Sequence, residues 1–213
     1  MRKADWLACA DPARMLGPAF KSASPRKRRL FAVAGARLSW RLLEDERSRE
    51  AVEVAERFAD GEADDRERAA AGTGASRAQY DIWTALGGSA RREEDSEGWY
   101  ASLWAVWASG AVEAQYHRIN SLARRGVPPA AQAVLLRDLF RRSKRKPRLG
   151  RVGPDAERIA RYAYGEKDWA VLPVLADALE DDGWPDTDLL AHLRSPGHHV
   201  RGCWALDLVL GKG

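Results

Sequence analysis

Apolar residues recur every three or four positions along most of this chain, which is the spacing that places them on one face of an α-helix. The stretch from Pro25 to Leu43 is an example, with Leu30, Phe31, Ala34, Leu38 and Leu42 on one side. No stretch alternates between apolar and polar residues with the period of a β-strand. The pattern predicts an all-α protein: an irregular multi-helix bundle of helical hairpins around a long central helix, followed by a C-terminal three-helix unit.

We predict a single all-α domain over residues 1–213. Ser24-Pro25 and Asp45 are typical helix starts, because Ser and Asp cap free backbone N–H groups and Pro suits a first helical turn. These helix boundaries divide the chain into four subregions. They are an N-terminal helical hairpin (1–61), central helices (62–140), a basic connector (141–153) and a C-terminal helical unit (154–213).

The central subregion is predicted to contain several helices. Gly72-Thr73-Gly74 predicts a break between a helical segment at Asp64–Ala71 and a helix that begins at Ser76. The longest predicted helix runs from Trp99 to Arg125 and carries a wide aromatic and aliphatic stripe that is typical of a core.

The last forty or so residues predict three short helices. Leu172, Leu175 and Leu179 mark the first, which Gly183 closes in a left-handed conformation. Asp186 or Thr187 caps the second, and the third runs from about His199 to Leu210.

This C-terminal stretch also holds His192, His198, His199 and Cys203, which are residue types that bind zinc. His199 and Cys203 are four residues apart and would share a helix face, but His192 has to reach across a turn. No fourth ligand is evident, and the spacing lacks the specificity of CxxC or HExxH. The sequence therefore predicts neither a metal nor any other cofactor, with Cys203 as a buried apolar residue.

The connector is the most basic part of the chain. Residues 137–151 contain one acid, Asp138, and eight bases: Arg137, Arg141, Arg142, Lys144, Arg145, Lys146, Arg148 and Arg151. Such a segment binds nucleic acid or another polyanion through phosphates, or it is a solvated charge run, or it pairs with the acids of the C-terminal unit. Arg26 to Arg29 leave a similar choice between a bound anion and a solvated helix face.

The sequence shows no signal peptide and few cysteines, and both features favour a cytoplasmic protein. Asp5, Asp11 and Arg14 interrupt any apolar core of a signal peptide. No run of about eighteen apolar residues exists to span a membrane. Two cysteines, Cys9 and Cys203, are too few for a disulfide framework and fit reduced thiols.

Both ends of the chain carry motifs of a known family. The runs DWLACADPARML and RKRRLFAVAGARLSW near the N-terminus, and LPVLADALEDDGWPDTDLLAHLRSPGHHVRGCWALDLVLGKG at the C-terminus, resemble a large paralogous family of uncharacterised planctomycete proteins. The family implies no assigned activity. Members carry extra cysteines that would stand near Ala32, Ala34, Gly35, Trp184 and Leu193, so the resemblance implies that any metal site built on them is missing here.

No catalytic constellation stands out in the sequence. An enzyme that uses Cys203, a histidine and Asp207 is one alternative, with a reactive thiol as its mark. Nucleic-acid binding through the connector is another. We expect instead a non-catalytic macromolecular interaction module whose partner is an unidentified protein.

Overall fold

The computed structural model describes residues 1–87, 97–110, 127–141 and 150–212 of the chain. Within these ranges the secondary structure consists of eleven α-helices and two short 3-10 helices, and no β-strand is present. The predicted all-α multi-helix bundle is thereby confirmed.

The α-helices are numbered here in chain order. They are α1 Lys3–Ala8, α2 Pro12–Phe20, α3 Pro25–Leu38, α4 Glu46–Ala59, α5 Asp65–Ala85, α6 Glu97–Ser109, α7 Pro129–Leu139, α8 Pro154–Glu166, α9 Leu172–Asp181, α10 Thr187–Leu193 and α11 Trp204–Leu210. The 3-10 helices are Trp40–Leu42 and Trp169–Val171.

Contacts divide the chain into two compact units. The central unit comprises Cys9–Leu136, and the C-terminal unit comprises Met1–Ala8 together with Arg137–Gly213. The predicted subregions differ from this division, because the first eight residues belong with the end of the chain. The prediction of one domain over the whole chain stays a prediction.

In the central unit, α3, α4, α5 and α6 pack against one another around an aromatic core. Phe31 of α3 meets Trp104 and Trp107 of α6 edge-on, with ring centroids 5.8 Å away in each case. The two tryptophan rings are themselves 5.2 Å apart, and all three side chains are almost fully buried. Edge-to-face aromatic pairs of this kind add to the free energy gained from burial alone.

Gly35 allows α3 and α6 to come this close. A Cβ atom added at Gly35 would lie 2.4 Å from Cε3 of Trp104, which is far inside van der Waals contact. Packing therefore requires glycine at position 35, because no side chain fits there.

Two arginines close the C-terminal end of α6, where backbone carbonyls have no helical partner. Arg29 donates to the carbonyls of Ala108 and Gly110, and Arg68 donates to the carbonyl of Ser109 at 2.8 Å. Both guanidinium groups also stack on the ring of Phe58. Arg29 is only 6% exposed, so the expectation that it binds an anion or faces solvent is wrong.

Two predicted boundaries in the central unit need correction. Helix α5 continues through Gly72-Thr73-Gly74 without a break, because Gly72 lies against Ser109 and lets α5 approach α6 closely. Helix α6 ends at Ser109, before the predicted end at Arg125. Residues 111–125 of that predicted helix lie outside the described residues.

The C-terminal unit is built on α8 to α11, which enclose a core rich in leucine and alanine. Leu172, Leu175 and Leu179 are fully buried in it, as their helical spacing predicts. Gly183 closes α9 with φ +79°, and the N–H of Trp184 donates to the carbonyl of Leu179. This is the glycine-dependent helix stop that the sequence indicates.

The three predicted C-terminal helices are present, but the last one starts later than expected. Residues 194–203 form turns, and α11 begins only at Trp204. Gly202 has φ +87° and allows the sharp turn that precedes Cys203. His199 and Cys203 therefore do not share a helix face.

None of the helices described here combines the length and the apolar composition needed to cross a membrane.

Candidate metal centre

The last turn of α7 contributes a buried carboxylate. Asp138 is 3% exposed although it stands beside a strongly basic segment. Its Oδ2 accepts a hydrogen bond of 2.9 Å from the backbone N–H of Val200. Its Oδ1 lies 2.8 Å from Nδ1 of His199 and 3.1 Å from Nε2 of His192. One oxygen is thus fixed by the backbone, and the other faces two imidazoles.

His192 lies in the last turn of α10, where burial of Leu189 and Leu193 sets the helix orientation. Its Nε2 is 3.3 Å from Sγ of Cys203, in addition to its contact with Asp138. The ring packs on Trp204, with centroids 4.9 Å apart. About 18% of its side chain is exposed, which makes it the group member closest to solvent.

The turn after α10 supplies His199 and Cys203. Nε2 of His199 is 3.3 Å from the carbonyl oxygen of Ser195. Because a carbonyl only accepts, this nitrogen carries the proton in the hydrogen bond. In a neutral imidazole the lone pair is then on Nδ1, which faces Asp138 and lies 3.8 Å from Sγ of Cys203. A hydrogen bond on the far nitrogen is the usual way to orient a metal-binding histidine.

Four potential ligand atoms therefore converge from separate parts of the C-terminal unit. One atom each from Asp138, His192, His199 and Cys203 lies within 4.8 Å of every other. Zinc bonds of about 2.0–2.3 Å in a tetrahedron place ligand atoms about 3.3–3.8 Å apart. Four of the six separations in the group run from 2.8 to 3.8 Å, so small side-chain shifts produce a tetrahedron.

The protonation of the group without a metal follows from its contacts. Burial of Asp138 opposes ionisation, but hydrogen bonds with His192 and His199 hold its pKa below the usual value. Burial of His199 opposes its protonation, yet the hydrogen bond with Asp138 raises its pKa. Burial raises the pKa of Cys203 well above the ordinary thiol value, and the charge of Asp138 raises it further. Without a metal, the group is thus a buried carboxylate hydrogen-bonded to two imidazoles, beside a thiol whose pKa is raised.

The sequence identified three of these four residues. His198 is exposed and does not belong to the group, and the carboxylate beside the histidines is that of Asp138 rather than Asp207. Asp138 was missed because it is 54 residues away from His192 along the chain. A signal for it does exist, since helical spacing from Val134 and Leu135 places Asp138 on the buried face of α7.

Of the eight predicted anion-binding residues, the structure describes three, Arg137, Arg141 and Arg151. Arg141 is already engaged, with a 2.7 Å ion pair to Asp186 and its guanidinium stacked on Trp204. The carbonyl of Arg151 accepts a hydrogen bond from the indole of Trp184. Arg137 is partly buried. Arg142, Lys144, Arg145, Lys146 and Arg148 lie outside the described residues. Nucleic-acid binding by the connector stays a prediction.

Comparisons with known proteins add no relative: no family model, no curated protein and no solved structure matches this chain. The resemblance to a planctomycete family stays a prediction. Interpretation of the centre therefore depends on its own chemistry.

Proposed function

We propose that the C-terminal unit binds one divalent metal ion, with zinc as the best fit, through Asp138, His192, His199 and Cys203. The observation that supports this is the convergence of the four ligand atoms within 4.8 Å of one another in a buried place. Two imidazoles, a thiolate and a carboxylate are all ligands that zinc accepts in tetrahedral sites.

The role of the ion in this proposal is structural. Four protein ligands complete a tetrahedron, whereas catalytic zinc sites keep one position for water or substrate. Asp138, His199 and Cys203 are each at most 6% exposed, which leaves little room for a substrate at the ion. The buried, neutral thiol of Cys203 also argues against the alternative of a cysteine-based enzyme, because a nucleophilic thiol needs a low pKa and access.

The ion would connect three segments that no covalent bond joins directly. These are the end of α7 at Asp138, the end of α10 at His192 and the turn that carries His199 and Cys203. Because the ion binds only the folded arrangement of these segments, metal affinity becomes folding free energy. The protein remains, on this proposal, the non-catalytic module that its sequence indicates.

The test compares two adjacent histidines. After removal of metal with a chelator and dialysis, wild-type protein should take up one zinc ion per chain, measured by elemental analysis and by calorimetric titration. His199→Ala removes one ligand and should lower zinc affinity by well over tenfold. His198→Ala changes the exposed neighbour and should bind like wild type. Absence of zinc uptake by the wild type, or equal loss in both variants, would overturn the proposal.

A further inference from the structure

We infer that Asp138 determines which ions the centre accepts, by matching the charge of the ligand set to a dication and so disfavouring Cu(I). This inference rests on the proposed metal binding and concerns its selectivity. Selectivity needs a cause here, because copper binds nitrogen and sulfur ligands at least as tightly as zinc does. A histidine pair with a thiolate, taken alone, suits Cu(I) well.

The ligands of the centre carry a total charge that balances a divalent ion. A ligating cysteine is a thiolate with charge −1, Asp138 adds −1, and two neutral imidazoles add nothing. The sum of −2 cancels a dication and leaves a neutral centre. A Cu(I) ion in the same ligand set leaves a net charge of −1. Because the group is buried, that uncompensated charge is costly.

An ion pair lies next to the centre and is neutral as a whole. Arg141, which stacks on the same Trp204 that packs against His192, forms an ion pair with Asp186. The pair adds no net charge beside the centre. Within the ligand set, Asp138 is the residue whose charge a near-isosteric substitution can remove.

Asp138 is also positioned to ligate through one oxygen. The Val200 N–H holds Oδ2 at 2.9 Å, so Oδ1 is the atom presented to the histidines. An asparagine in its place can keep an oxygen on the Val200 N–H, but it then presents an amide nitrogen, which is no ligand, and carries no charge. The remaining set of two imidazoles and one thiolate has charge −1, which matches Cu(I).

The experiment measures two affinities for each protein. Zn(II) is titrated in competition with a chromophoric chelator, and Cu(I) is titrated with a Cu(I)-specific chelator under anaerobic, reducing conditions. Asp138→Asn should lower the Zn(II)-to-Cu(I) affinity ratio by at least about 100-fold, since changes even outside the ligand shell cost 10–100-fold. Asp155→Asn, which neutralises an exposed aspartate of α8, should leave the ratio unchanged.

Asp138→Glu is the second variant, because it retains the charge while it changes the geometry. Its Zn(II)-to-Cu(I) affinity ratio should stay near that of the wild type even if both affinities fall. If Asp138→Asn does not fold, this variant alone tests the inference. A ratio that shifts toward Cu(I) in Asp138→Glu, or an equal loss of both metals in a folded Asp138→Asn, would overturn the inference. Wild-type protein that binds no zinc would instead overturn the proposed function.

Discussion

Arg29 and Asp138 are charged residues whose side chains lie almost entirely inside the protein, 6% and 3% exposed respectively. Both stand in runs of charged residues that are typical of a surface. A buried charge is costly unless hydrogen bonds or opposite charges compensate it. Arg29 has the carbonyls at the end of α6, and Asp138 has two histidines and the Val200 N–H. At the residue scale, partners far away in sequence thus decide where these charges lie.

Arg29→Met should show how much the arginine cap of α6 contributes. Methionine keeps an apolar stem in the core but leaves the carbonyls of Ala108 and Gly110 without this donor. We expect a loss of about 2–3 kcal/mol in the free energy of unfolding, the range for hydrogen bonds to charged groups together with buried groups left unpaired. Urea denaturation followed by tryptophan fluorescence measures it.

Arg66→Met is the matched control for this substitution. Arg66 is an exposed residue in the first turn of α5, so its replacement should change stability by less than about 0.5 kcal/mol. Equal stability of the Arg29 and Arg66 variants would show that the cap on α6 is dispensable.

Glycines inside helices show why local sequence rules fail at the scale of elements. The GTG run in α5 reads as a break, yet the helix continues because tertiary contacts outweigh the low helix propensity of glycine. Gly35 is needed where α3 meets Trp104, and a Cβ at Gly72 would make a tight contact of 3.3 Å with Oγ of Ser109. Gly74 has only ordinary contact with the side chain of Arg47, so nothing comparable requires it.

Alanine substitutions at Gly35 and Gly74 should therefore change stability in opposite directions. Gly35→Ala forces a methyl group into the ring of fully buried Trp104, and this clash should exceed the gain in helix propensity. We expect a net loss of about 2 kcal/mol. Gly74→Ala removes only an unfavourable propensity and should stabilise by up to about 1 kcal/mol. Thermal unfolding by circular dichroism measures both, and a destabilised Gly74→Ala would contradict a continuous α5.

Helix starts and stops were predictable because they depend on neighbours in sequence. Ser24, Asp45 and Asp186 each accept a backbone N–H at the start of a helix, as their residue types predict. The metal centre was only partly predictable. His192, His199 and Cys203 lie within twelve residues of one another and draw attention as ligand types. Asp138 comes from α7, and only the tertiary fold brings it to them.

The whole molecule contains two compact units, and the proposed centre belongs to one of them. All four of its residues fall within Arg137–Gly213. The C-terminal unit has its own leucine-rich core, formed from α8 to α11. Metal binding should therefore act on the stability of this unit, and a change in metal should affect part of the chain more than the rest.

Removal of the metal should lower the transition temperature of the C-terminal unit. An ion that binds only the folded state adds about 2.7 kcal/mol of stability when its free concentration is 100 times Kd. For a unit of this size the transition temperature should then be about 10–20 °C higher with zinc than with a chelator. Differential scanning calorimetry measures the shift.

The controls separate a specific centre from general effects of zinc. Chelator should lower the transition of His198→Ala as much as that of wild type. His199→Ala should respond much less, because it has lost one of the four ligands and binds zinc more weakly. After loss of the ion, Asp138 keeps its hydrogen bond with His199 in the core, so the metal-free unit should unfold at a lower temperature without being unfolded at the outset. A transition that is independent of zinc in wild type would mean that the hydrogen-bonded Asp138 and His199 hold the unit together without a metal, and it would contradict the proposed centre.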